Sequence, residues 1–79
     1  MALTVLSREY CHLCHDMVAA LQEVQQSQSF EFTVIDVDEN PEWEEKYGEL
    51  VPVLLAGDEE ICHYHLDYEA LNAYLAKIG

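Results

Sequence analysis

Apolar positions along the chain follow two rhythms, and the switches between them mark the elements. Ala2–Ser7 (ALTVLS) is a short β-prone run and predicts a buried first strand. Cys14, Met17, Val18, Leu21 and Val24 then recur at spacings of three and four, the stripe of a helix buried on one side. The polar run Gln25–Ser29 ends that helix. Phe30–Val37 (FEFTVIDV) alternates and is rich in β-branched and aromatic residues, so it predicts a second strand. Asn40-Pro41 reads as a helix start, an N-cap followed by proline at the first helical position. Glu42, Glu44 and Glu45 suit the early turns of that helix, and Gly48 suits its end. Val53–Ala56 predicts a third strand, Gly57-Asp58 a tight turn, and Glu60–Tyr64 a fourth strand. Asp67 can cap a last helix whose apolar stripe is Leu71, Tyr74, Leu75 and Ile78.

The expected order is β-α-β-α-β-β-α, an α/β arrangement. Its strand–helix–strand opening implies a right-handed parallel crossover, and its later hairpin an antiparallel pair. No repeat, low-complexity tract or linker interrupts the 79 residues, so residues 1–79 are expected to form one domain. A chain this short is near the lower limit for a self-sufficient core. Half of it is apolar, with one tryptophan and five tyrosines, and that suits a packed globule despite the charge.

Net charge narrows the partners. At −13, with Arg8, Lys46 and Lys77 as the only Lys or Arg residues, the chain has no basic patch to track a phosphate backbone, which argues against nucleic acid. The acidity favours solubility, a monomer, and protein partners with basic surfaces. Three cysteines are too few, and an odd number, for a secreted disulfide framework. No signal peptide or membrane-spanning stretch is readable, so the expected location is the cytoplasm. There a Cys-x-x-Cys pair is read as redox-active or metal-binding.

Tyr10-Cys11-His12-Leu13-Cys14 falls between the first strand and the first helix. Two cysteines three apart inside a helix have Cβ atoms about 5–6 Å apart, whereas a relaxed disulfide wants about 3.5–4.5 Å. At the helix N-cap, the non-helical backbone of Cys11 can close that gap. The same placement activates the sulfur, because free amides at a helix start donate to a thiolate and the dipole favours its charge. Thiols in such sites have pKa values lowered to about 3.5–7.5. His12, His15 and Arg8 add positive charge nearby, and Asp16 opposes it. Cys14, one turn along the core-facing stripe, is then the buried resolving thiol.

Two rival chemistries share these residues. Cys11–His15 also spells the C-x-x-C-H of c-type haem attachment, which requires export and a helical fold rather than four strands. Zinc is the stronger rival, with Cys11, Cys14, Cys62, His63 and His65 as plausible ligands. Cys62-His63-x-His65 lacks the usual second-pair spacing, so no metal site is assigned.

On three segments the chain resembles the glutaredoxin/thioredoxin superfamily, and most of all the small bacterial glutaredoxin-like proteins. They are Leu3–Cys14 (LTVLSREYCHLC), Ile35–Gly48 (IDVDENPEWEEKYG) and Val51–Ile61 (VPVLLAGDEEI). The resemblance implies a thioredoxin fold, a four-stranded mixed sheet flanked by helices, and a thiol–disulfide oxidoreductase. It implies Cys11 as nucleophile, Cys14 as resolving cysteine in a reversible disulfide, and Pro52 as a cis-proline facing them. It also implies that Arg8 helps to hold the carboxylate of glutathione. The groove is expected to comprise Arg8, Tyr10, His12, Val51, Cys62 and His63. No cofactor is required, and glutathione is a possible co-substrate. The implied partners are a disulfide-containing protein and a reductant, either glutathione or a reductase. His12-Leu13 separates the cysteines where the family carries Pro-Tyr or Gly-Pro, and Cys62-His63 falls where glutaredoxins have Gly-Gly. Side chains at that pair, together with Glu9, Asp58, Glu59 and Glu60, predict weak glutathione binding; the alternative is that Cys62 packs inward as a small hydrophobe and His63 turns to solvent, leaving the groove usable. The alternative is a non-catalytic thioredoxin-fold binding module, or a Cys/His zinc-binding protein.

Overall fold

The first strand of the chain lies inside the sheet and organises everything that follows. The computed structural model describes residues 2–9 and 11–78, the side chain of Ile78 excepted. Its elements are β1 (Ala2–Ser7), α1 (His12–Gln25), β2 (Glu31–Asp36), a 3₁₀ turn (Val37–Glu39), α2 (Pro41–Tyr47), β3 (Val53–Ala56), β4 (Glu59–His63) and α3 (Tyr68–Ile78). The sheet order is β2-β1-β3-β4. β1 runs parallel to β2, from Ala2 beside Glu31 to Ser7 beside Asp36, because α1 returns the chain to the same end. β1 is antiparallel to β3, with Thr4 beside Leu55 and Leu6 beside Val53. This is the expected mixed four-stranded sheet.

Alternation along β1 sends side chains to two cores. Leu3 and Val5 join Leu54 and Ala56 beneath Met17 and Leu21 of α1 and Leu71 and Leu75 of α3. Leu6, Val53 and Leu55 face the other way, onto Val37, Tyr47 and Trp43 at α2. The larger core anchors α1 and therefore the cysteines at its start. Truncating the fully buried Leu21 to alanine should cost roughly 2–5 kcal/mol and loosen that helix.

Caps and turns fix the element ends. Asn40 accepts from the Glu42 and Trp43 amides at 3.0 and 3.3 Å, with Pro41 opening α2. The Ala70 amide donates to Asp67 Oδ1 at 3.0 Å, capping α3. Gly57 takes φ 63° in the β3–β4 turn, a conformation that favours glycine. The bounds of two strands differ from expectation, β2 beginning at Glu31 rather than Phe30 and β4 at Glu59 rather than Glu60. The second strand stops at Asp36, whose carboxylate accepts the Asp38 amide at 2.9 Å and bends the chain into the 3₁₀ turn. The fourth strand stops at His63, because Tyr64 turns to φ 64°. Within that hairpin the register shifts between Leu54, opposite Cys62, and Leu55, opposite Glu60. Ile61 is the extra residue of this bulge.

Candidate active site

Three neighbouring strands deliver the site to one end of the sheet. Leu6 pairs with Val53 and Val53 with His63, so Ser7, Pro52 and Tyr64 follow at the same edge. From that edge β1 leads through Arg8 and Glu9 into α1. The Val51–Pro52 peptide bond is cis, with Val51 half-buried and Pro52 buried.

Cys11 is the N-cap of α1. Its backbone is extended, at φ −103° and ψ 105°, and its Sγ accepts the Cys14 amide at 3.2 Å. Its carbonyl accepts the His15 amide at 3.3 Å, so the helix starts on the cysteine itself. Cys11 and Cys14 are joined as a disulfide, their Cα atoms 5.2 Å apart, within the about 4.4–6.8 Å that such a bond requires. Cys11 is half-buried and Cys14 only 4% exposed, so Cys11 is the more accessible of the pair. His12 and His15 are exposed and, with Arg8, Glu9 and Cys11, line an open depression beside that sulfur. Tyr10 lies outside the described residues.

Arg8 is occupied by this chain's own carboxylates. Its Nη2 donates to Asp38 Oδ1 at 3.0 Å and lies 3.8 Å from Glu44 Oε1. A Cβ on Gly48 would be driven into the Glu44 carbonyl oxygen and stand 3.0 Å from the guanidinium, so the glycine lets Arg8 lie across the end of α2. The arginine expected to receive an external carboxylate thus already holds one. Neither carboxylate was legible as its partner, because Asp38 and Glu44 are distant in sequence.

Cys62 departs from the expected groove. It is buried against Leu54 and Leu71 in the larger core, where it packs as a small hydrophobe. The bulge at Ile61 is the reason, since it turns both Ile61 and Cys62 toward the helices. Burial pushes the Cys62 thiol pKa up. The Asp67 backbone amide opposes that rise, while the Asp67 and Glu60 carboxylates add to it. His63 remains half-buried at the edge, its Nδ1 3.0 Å from Glu60 Oε2. Among the described residues, no three His, Cys, Asp or Glu side chains converge to hold a metal ion. Tyr64, which carried no expected role, stands at the rim with its hydroxyl 3.2 Å from the Glu49 carbonyl. Only its left-handed backbone places it there, and no local motif announces that conformation for tyrosine.

A parallel strand–helix–strand unit whose helix opens on an N-capping cysteine, beside a hairpin entered through a cis-proline, is a thioredoxin fold. The chain belongs to the glutaredoxin-like domain family (DUF836), whose model matches residues 2–76. It is similar to the protein Ne2328 from Nitrosomonas europaea, solved by solution NMR, with 43% identity and a TM-score of 0.84 over 92% of this chain and 88% of that one. It is also similar to XcR50 from X. campestris, with 28% identity and a TM-score of 0.65 over 95% of this chain and 96% of that one. Thioredoxin 1 from Thermosipho africanus shares the fold at 22% identity, with a TM-score of 0.62 over 99% of this chain and 98% of that one. No curated protein matches the chain.

Proposed function

We propose that the protein is a thiol–disulfide oxidoreductase that acts on disulfides in polypeptides. The observation that carries this reading is the Cys11 sulfur at the start of α1, accepting the Cys14 amide. An amide aimed at sulfur, with the helix dipole behind it, favours the thiolate, which is the attacking species.

In the reduced protein the Cys11 thiolate attacks one sulfur of a substrate disulfide. A Cys11–substrate bond forms, the substrate S–S bond breaks, and one substrate thiolate leaves. Cys14 loses its proton to solvent and its sulfur then attacks Cys11 Sγ. The second substrate thiolate leaves, and Cys11 and Cys14 are left as the observed disulfide. Two electrons pass from the cysteine pair to the substrate, and a dithiol or two monothiols return them. Pro52 offers no N–H at the sheet edge, which leaves the Val51 backbone free to pair with an extended substrate chain. Glutathione is the weaker substrate, because Arg8 is already paired and the surrounding surface is acidic.

Single-turnover kinetics test the reading. The protein is reduced, freed of reductant and mixed with a peptide carrying one internal disulfide. Two peptide thiols should appear for each Cys11–Cys14 disulfide formed, with a Cys11-linked peptide as the intermediate. Unchanged peptide over hours, or an adduct on Cys62 instead, would sink it.

A further inference from the structure

Tyr64 makes contacts that its neighbours on β4 do not. Its amide donates to the Pro52 carbonyl at 2.9 Å, and its hydroxyl donates to the Glu49 carbonyl at 3.2 Å. One residue therefore holds both ends of the segment from Glu49 to Pro52. It does so from φ 64°, a left-handed conformation that side chains other than glycine, asparagine and aspartate adopt at a cost. The residue is 41% exposed, and its ring meets that of His63 edge-on, with centroids 4.8 Å apart. His63 is itself held to Glu60 of β4 by the 3.0 Å contact. The ring is thus braced from β4 while its polar atoms reach across to the segment before β3. Core packing does not demand this arrangement, because the larger core draws on Ile61, Cys62 and Leu66 and leaves Tyr64 out. A costly backbone conformation kept at an exposed aromatic residue, at the same end of the sheet as Pro52 and Ser7, points to work there.

We propose that Tyr64 is a positioning residue for substrate binding, the clamp that holds the Glu49–Val51 backbone ready to pair with a polypeptide disulfide. This rests on the oxidoreductase reading above. The clamp acts through the segment and touches neither sulfur, so it sets how well substrate docks and leaves the electron transfer between sulfurs alone. Losing the hydroxyl frees Glu49 and lets the segment sample conformations that cannot pair. Substrate must then reorder the segment on binding, and affinity falls.

The test compares the parent with Tyr64→Phe and Tyr64→Gly in single-turnover reduction of one peptide disulfide over a range of peptide concentrations. Tyr64→Phe keeps the ring and loses only the hydroxyl. Tyr64→Gly removes the ring and hydroxyl and keeps the amide hydrogen bond to Pro52, at a position whose φ suits glycine, so it is the variant that safeguards the fold. The half-saturating peptide concentration should rise about fivefold in Tyr64→Phe, the worth of one such hydrogen bond, and at least as far in Tyr64→Gly. The limiting rate and the Cys11–Cys14 reduction potential should match the parent. An unchanged half-saturation in both variants overturns the clamp. So does a changed limiting rate or potential with unchanged half-saturation, since Tyr64 would then act on the cysteines. A parent that never reduces the peptide overturns the oxidoreductase reading, and the clamp with it.

Discussion

Cys14 and Cys62 are almost equally hidden, at 4% and 9% exposure, yet they sit in opposite chemical situations. Cys14 lies one turn inside a helix whose cap is another sulfur, and that cap accepts its amide. Cys62 lies in a strand opposite Leu54, and no second sulfur is bonded to it. Burial pushes its thiol pKa up, and nearby carboxylates push the same way. Burial alone therefore does not distinguish the two cysteines. What separates the two is whether the backbone brings a second sulfur within bonding reach.

Removing the capping sulfur should break this contrast most severely. In Cys11→Ser, single-turnover reduction of a peptide disulfide should fall by at least about a thousandfold, as removal of other nucleophiles does. Peptide thiol release followed by rapid quench checks this, and near-parent release would place the nucleophile elsewhere. Cys14→Ser should keep the first attack and lose the second. Intact mass spectrometry should show a peptide adduct accumulating on Cys11 until external thiol is added.

Cys62 sharpens the contrast from the other side. Cys62→Ala should leave turnover unchanged and cost about 1 kcal/mol of stability in urea unfolding, since it removes little more than one buried atom. A native thiol pKa raised above the unfolded value means that the folded state holds its proton longer. Its stabilising contribution is complete at neutral pH and is lost as pH rises through the thiol range. The parent should therefore weaken more steeply than Cys62→Ala on the alkaline side, and parallel slopes would contradict the assignment. The smallest effect concerns the charge beside Cys11. Asp38→Asn with Glu44→Gln frees Arg8 and should tighten glutathione binding up to about fivefold by calorimetry, the range of an exposed ion pair. Weaker binding would show that Arg8 faces away from the ligand.

Where a feature depends on neighbours in sequence, the residues announced it. The stripe from Cys14 to Leu21, the Asn40-Pro41 start, the Gly57 turn and the Asp67 cap are all local, and each appears in the fold. The cap position of Cys11 was legible for the same reason. Cys62 is expected in the groove because Cys62-His63 falls where glutaredoxins have Gly-Gly, and the extra residue at Ile61 turns Cys62 into the core instead. The Arg8 ion pairs depend on where α2 comes to rest against the loop after β1. The Tyr64 clamp depends on a single left-handed residue. Long-range geometry and isolated backbone choices leave no period in the sequence, which is why these three features appear only in the fold.

The central place of β1 also bears on how the chain is made. A ribosome releases β1 and then the Cys11–Cys14 pair before the other three strands of this sheet. Its parallel partner β2 must wait for the whole of α1, and its second partner β3 comes later still. The two paired sulfurs therefore emerge with no finished sheet to hold them, at a stage when a growing chain is open to wrong pairings. Cys62 is the last of the three cysteines to emerge, and the core that buries it is complete only when α3 adds Leu71 and Leu75. The order of synthesis thus keeps the third thiol away from the first two until β1 has gained the neighbours that enforce their separation.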